Sequence, residues 1–179
     1  MKGSALAFLA VFSFAAALAP AQEHDSHGST VASTPQWEKI KSLVGEWEGY
    51  AMEGDQKMPT HISVRMTGDG SAVMHWMDAG TPHEMVTMFH MDKSELLATH
   101  YCSAHNQPRF RAVPSSGPSQ VAFEFKDGTN IHPGDGYMRR LAITFVDSDH
   151  HNEAWGYDTN GKLGTGIFYL TRVRQAAKQ

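Results

Sequence analysis

Leu43-Val44-Gly45-Glu46-Trp47-Glu48-Gly49-Tyr50, near the start of the chain, and Gly166-Ile167-Phe168-Tyr169-Leu170-Thr171-Arg172, near its end, decide the fold. Just ahead of the first stretch, Thr34 is a suitable N-cap with Pro35 at the first helical position, and Trp37, Ile40 and Val44 fall on one helical face. A short helix therefore runs straight into a strand. From Val44 onward the apolar pattern has period two, broken by turn residues at regular spacing. Strands are predicted at Gly45 to Met52, Thr60 to Thr67, Ser71 to Asp78, His83 to Met91, Glu95 to Cys102, Arg109 to Val113, Gln120 to Phe125, Arg139 to Asp147, Asn152 to Tyr157 and Gly166 to Arg172. Most links between them are tight, such as Glu53-Gly54-Asp55, Gly68-Asp69-Gly70 and Asp158 to Gly161, while Asp127 to Gly136 is long. No later segment keeps a helical period, and no repeat of fixed length is present. About ten antiparallel strands in one small domain have to dispose of their edges, and closure does that most economically. The expected fold is all-β, an up-and-down antiparallel β-barrel of about ten strands with a short N-terminal helix; a two-sheet sandwich is the rival.

The Gly45-Glu46-Trp47 strand and the closing Leu170-Thr171-Arg172 strand together resemble the calycins, the lipocalin-like and fatty-acid-binding-like barrels. In that group a G-x-W tryptophan on the first strand is covered by a basic side chain from the last. The resemblance implies that Trp47 plugs the closed end and that Arg172, or else Arg174, lies over its face, a contact worth about 0.5–2 kcal/mol when desolvated. It implies a container, not its contents. A second stretch, Thr99-His100-Tyr101-Cys102 followed by Asn106-Gln107-Pro108-Arg109, resembles exported bacterial proteins that carry a lipocalin-like domain of unknown function. That likeness runs from Leu43 through Thr144-Phe145-Val146-Asp147 to the last strand and implies no particular activity.

The amino terminus reads as a signal peptide. Lys2 supplies the positive start, Ala5 to Leu18 form an apolar run interrupted by Ser13, and Ala19-Pro20-Ala21 gives the small-x-small cleavage pattern. The run is shorter than the roughly 20 residues of a membrane span, and no cysteine stands near the cleavage point to take a lipid, so no membrane anchor is expected. The expected organisation is a signal peptide over 1–21, a polar leader over 22–33, the barrel over 34–174 and a tail over 175–179, with export to the periplasm or beyond after cleavage near Ala21. The histidines of the leader, His24 and His27, have no adjacent residues to complete a metal site.

The chain has 179 residues and a formal charge of −4, and loss of Lys2 makes the mature part more acidic still. With no run of Lys and Arg longer than two, nucleic acid is not an expected partner. Cys102 is the one cysteine, so no intramolecular disulfide can form and stability must come from the core.

The residues with chemistry to offer concentrate in one hairpin. On a strand His100 and Cys102 point to the same side, as do Arg109 and Arg111 after the turn. With Glu153 as an interior polar group and Trp76 and Trp155 as walls, these residues suit a cavity for a small, partly apolar ligand, an arginine fork pairing any anionic group on it. A buried Glu153 would itself need a partner, for which Arg109, Arg111, Arg139 and Arg140 are candidates. Two alternatives use the same residues. The wealth of histidine and methionine, with Met74 to Met77, Met85, Met88, His90, Met91, His100, Cys102, His105, His150 and His151, suits copper, or haem as in nitrobindin-like barrels, although no compact ligand motif fixes a metal set and no cofactor is predicted from spacing. An enzyme would draw on Cys102 with His100 as nucleophile and base, or on Glu153 with His151 for proton transfer. Asp147-Ser148-Asp149 lacks the spacing of a calcium loop and reads as a solvated turn.

Overall fold

The computed structural model describes residues 33–173, and for Glu53 the backbone alone. The expected signal peptide, nearly all of the expected leader with His24 and His27, Arg174 and the expected tail lie outside the described residues.

Helix α1 (Pro35–Ser42) begins where its cap predicts: Thr34 is extended and its hydroxyl accepts from the Trp37 amide at 3.2 Å. Trp37 and Ile40 are buried, as is Leu43 just past the last turn. Val44, assigned to the same face by helical spacing, is instead exposed, because the helix stops at Ser42 and the strand phase takes over at Gly45.

Ten antiparallel strands follow: β1 (Gly45–Glu53), β2 (Gln56–Thr67), β3 (Ala72–Met77), β4 (Met85–Asp92), β5 (Glu95–Tyr101), β6 (Gln107–Val113), β7 (Gln120–Thr129), β8 (Tyr137–Phe145), β9 (His150–Thr159) and β10 (Lys162–Arg172). Each pairs with its neighbour in sequence, and β1 also pairs with β10, so the sheet is a closed up-and-down barrel. Trp47 sits at the seam, opposite Ile62 on one side and Arg172 on the other. Several strands outrun their sequence bounds because the hairpins are tighter than turn composition suggests. Asn160 and Gly161, with φ of 52° and 77°, make a two-residue link that lets β9 and β10 pair along their full length.

The two ends of the bore differ. At the closed end Trp37, Ile40 and Leu43 pack with Trp47, Ile62, Val64, Val73, Phe89, Val121, Phe123 and Ile143 into a continuous core. Trp47 donates its indole N–H to the Leu43 carbonyl at 2.7 Å, and the Arg172 guanidinium lies 4.1 Å from its ring. The same guanidinium donates to the carbonyls of Val44 at 2.7 Å and Ser42 at 2.9 Å, so the last strand satisfies carbonyls at the end of α1. Gly45 has φ of +140°, and a Cβ there would stand 2.7 Å from Arg172 Nη1. The glycine of the G-x-W is thus what lets the arginine cross over the tryptophan.

Candidate functional site

Along β9, His151, Glu153 and Trp155 alternate inward and are all buried. Glu153 meets no arginine. Its Oε1 accepts from His75 Nε2 on β3 at 3.0 Å and from His151 Nε2 at 3.1 Å, and its Oε2 accepts from Trp155 Nε1 at 2.9 Å. Arg139 instead pairs with Asp158 at 2.7 Å, and Arg140 is exposed. Three donors from two strands therefore surround one carboxylate with 0% exposure. Burial pushes the Glu153 carboxyl up, but the charge at His75 and the hydrogen bonds from both histidines outweigh it and hold the group below the usual carboxylate range.

The second polar element is His100 on β5, 1% exposed, whose Nδ1 shares a hydrogen bond of 2.8 Å with the Thr87 hydroxyl on β4. Its Nε2 is buried without a hydrogen-bond partner among the described residues. The ring packs 4.8 Å from that of Trp155. Burial, reinforced by positive charge at His75 and opposed by Glu153, lowers the imidazole pKa from 6.5 to about 3, so the ring is neutral at physiological pH.

His100 and Trp155 help to floor a cavity of about 300 Å³ at the open end. Its wall carries five methionines, Met52, Met58, Met77, Met85 and Met138, with Ala51, Tyr157, Gly166 and Phe168 completing it. No Leu, Ile or Val lines it, in contrast to the core at the closed end.

The structure brings together His100, Glu153 and Trp155, with His151 bonded to Glu153 and Met77 and Met85 in the pocket wall, and places Arg109, Arg111, Trp76 and Cys102 elsewhere. Arg109 is on the outer face, ion-paired with Asp127, and Arg111 is likewise exposed, so neither faces the bore. Trp76 is half-buried on the outer side of β3, where His75 and Met77 turn inward. Cys102 is a half-buried free thiol just past the end of β5. Its backbone N–H donates to the Asn106 carbonyl at 3.1 Å, closing the β5–β6 turn in which His105 has φ of 63°. Buried Asn106 then donates to the Gly136 carbonyl at 2.8 Å, tying that turn to the long β7–β8 connection. In the β5–β6 register Thr99 stands opposite Arg109 and Leu97 opposite Arg111, so both arginines share the outward phase of Thr99 and not the inward one of His100; the bulge at Arg109/Phe110 lies against β7, where Lys126 is the extra residue. His150 caps Asp147 in an exposed turn at 2.9 Å. Among the described residues no group of three or more His, Cys, Asp and Glu side chains is arranged to hold a metal ion.

Sequence reasoning did not single out Thr87, Met58 or Met138, or pair His75 with Glu153. Thr87 was within reach, since it shares the inward phase of Phe89 on β4. The His75 contact joins positions 78 residues apart and left no local signal.

No family model matches the chain, and no curated protein matches it in sequence. Solved structures do resemble it. One is a protein of unknown function from the DUF3598 family of Nostoc punctiforme, 15% identical with a TM-score of 0.52 over 75% of this chain and 48% of that one. Another is Rv2717c from M. tuberculosis, also 15% identical with a TM-score of 0.52, over 80% of this chain and 100% of that one. The chain spans about half the length of the first. Identity at this level speaks to the fold alone, and a barrel fold is what these proteins share with the present chain.

Proposed function

We propose that the barrel is an exported container for a small, largely apolar molecule, held in the methionine-lined pocket against Trp155 with His100 as its polar contact. The observation that carries this reading is the cavity itself: about 300 Å³ of apolar wall, at the low end of ligand pockets, with a neutral buried imidazole in its floor. Unbranched thioether side chains repack around guests of different shape more readily than aliphatic ones, which suits a container with a broad range. The G-x-W and the covering arginine, read as calycin-like, agree with this role by analogy of architecture.

Titration with the uncharged fluorophore N-phenyl-1-naphthylamine tests it. Saturable one-to-one binding with a blue shift and quenching of tryptophan emission is the expected result. Gly166 lines the pocket with room for a side chain, the nearest atom to an added Cβ being 3.8 Å away on Phe168. Gly166→Leu should therefore weaken binding at least tenfold. Absence of saturable binding, or binding indifferent to Gly166→Leu, would overturn the proposal.

A further inference from the structure

We propose that the open end of the barrel also holds a monovalent soft metal ion, Cu(I), between the thioethers of Met77 and Met85 and the Nε2 of His100. This goes beyond the container reading and does not rest on it.

The segregation of side chains within the bore is the first argument. A wall that needed only to be apolar could be built from branched aliphatic and aromatic residues, as most of the closed end is, with Met66 and Met91 packed against it, yet the pocket uses methionine at five positions and no Leu, Ile or Val. Thioether sulfur is thus concentrated around the pocket, and it favours soft ions. Placement is the second. Met77 and Met85 are direct cross-strand partners and both line the pocket. Thr87, two residues beyond Met85 on the same face, is the cross-strand partner of His100. The three donors thus sit on adjacent strands β3, β4 and β5, with Cβ separations of about 5 Å for direct partners and about 7–8 Å on the diagonal, within the reach of methionine side chains.

The third argument is the state of His100. The Thr87 hydroxyl fixes the ring through Nδ1, and Nε2 is left buried and unpartnered. A ligating histidine is commonly oriented in this way, one nitrogen held by a neighbour and the other free for the metal. The set S, S, N contains no carboxylate, which disfavours calcium and magnesium and suits Cu(I). A single positive charge is also the least costly to bury, and the Glu153 carboxylate, bonded to the indole of Trp155 beneath the pocket, gives it partial compensation. Met85 Sδ accepts a weak hydrogen bond from the Ser103 hydroxyl at 3.7 Å, a contact that ligation would replace. Met58, exposed at the rim, offers a first sulfur to an arriving ion.

The test uses the full chain with Cys102→Ser, so that the free thiol does not compete. Cu(I) is supplied anaerobically as its acetonitrile complex, and Ag(I) serves as a redox-inert probe of the same chemistry. One ion per chain should saturate the protein. In a sample with labelled methionine methyl groups, the Met77 and Met85 signals should shift on adding Ag(I), while those of Met74 and Met88 on the outer face stay in place. Met77→Leu/Met85→Leu should weaken binding at least tenfold with the circular dichroism unchanged, and His100→Phe should do the same, whereas Met74→Leu/Met88→Leu should bind as the parent does. Failure to saturate at one ion, shifts shared equally with the outer methionines, or undiminished affinity in the Met77→Leu/Met85→Leu protein would overturn the assignment. None of these outcomes bears on the binding of N-phenyl-1-naphthylamine, so the two proposals stand or fall separately.

Discussion

Glu153 is the residue on which the interior turns. An ionised carboxylate with no exposure persists only because His75, His151 and Trp155 all donate to it, and removing it strands three buried donors at once. Glu153→Ala should therefore cost about 3–5 kcal/mol in chemical denaturation, well above a surface substitution. Its folded pKa lies below the unfolded value of 4.5, so the stability it contributes is complete above that value and is lost as pH falls through the depressed folded one. His100 acts earlier on the same axis. Between pH 6.5 and about 3 the unfolded chain binds a proton that the folded one refuses, so stability declines with falling pH across that window. The slope is about 1.4 kcal/mol per pH unit while the difference is one whole proton. Denaturation midpoints recorded from pH 7 to pH 4 should flatten in His100→Phe; a slope unchanged from that of the parent would show that another group sets the decline.

At the scale of elements, the joint between α1, β1 and β10 is built around one guanidinium. Arg172 reaches two carbonyls at the helix end and the Ser148 carbonyl while covering Trp47, a fork that an ammonium cannot reproduce. Arg172→Lys should lower stability by about 1–3 kcal/mol, read from the urea midpoint, with near-ultraviolet circular dichroism reporting the altered surroundings of Trp47. This joint was legible in the sequence, because glycine, tryptophan and arginine are each needed for a separate physical reason at that spot. The ten strands were legible too, from alternation and turn residues. Which face of each strand points inward was less so. On β5, Leu96, Ala98 and His100 compete with Leu97, Thr99 and Tyr101 as an inward set, and either is apolar enough. Beyond it, the register of the β5–β6 hairpin depends on the backbone of the Cys102–Asn106 turn and sets Arg109 opposite Thr99 and Arg111 opposite Leu97, so Arg109 and Arg111 end outside while the sequence alone allowed them in. The partners of Glu153 were hidden for another reason: contacts across a bore join distant positions that no local pattern links.

For the whole molecule, the barrel divides into a filled half and a half with room. Slow exchange of backbone amides should mark the first, around Trp47, Phe89, Phe123 and Ile143, and faster exchange the rim near Met58, Cys102 and Gly136, measurable by hydrogen–deuterium exchange at a single pH. Uniform protection from end to end would contradict a division of this kind. The methionine wall gives that division a chemical fate of its own. Sulfur at the rim, with Met58 44% exposed, is open to peroxide or hypochlorous acid, and each sulfoxide formed would turn a greasy facet into a strong dipole. Bleach would thus change the lining of the bore without touching the tryptophan stopper, and a reductase that repairs methionine would restore it.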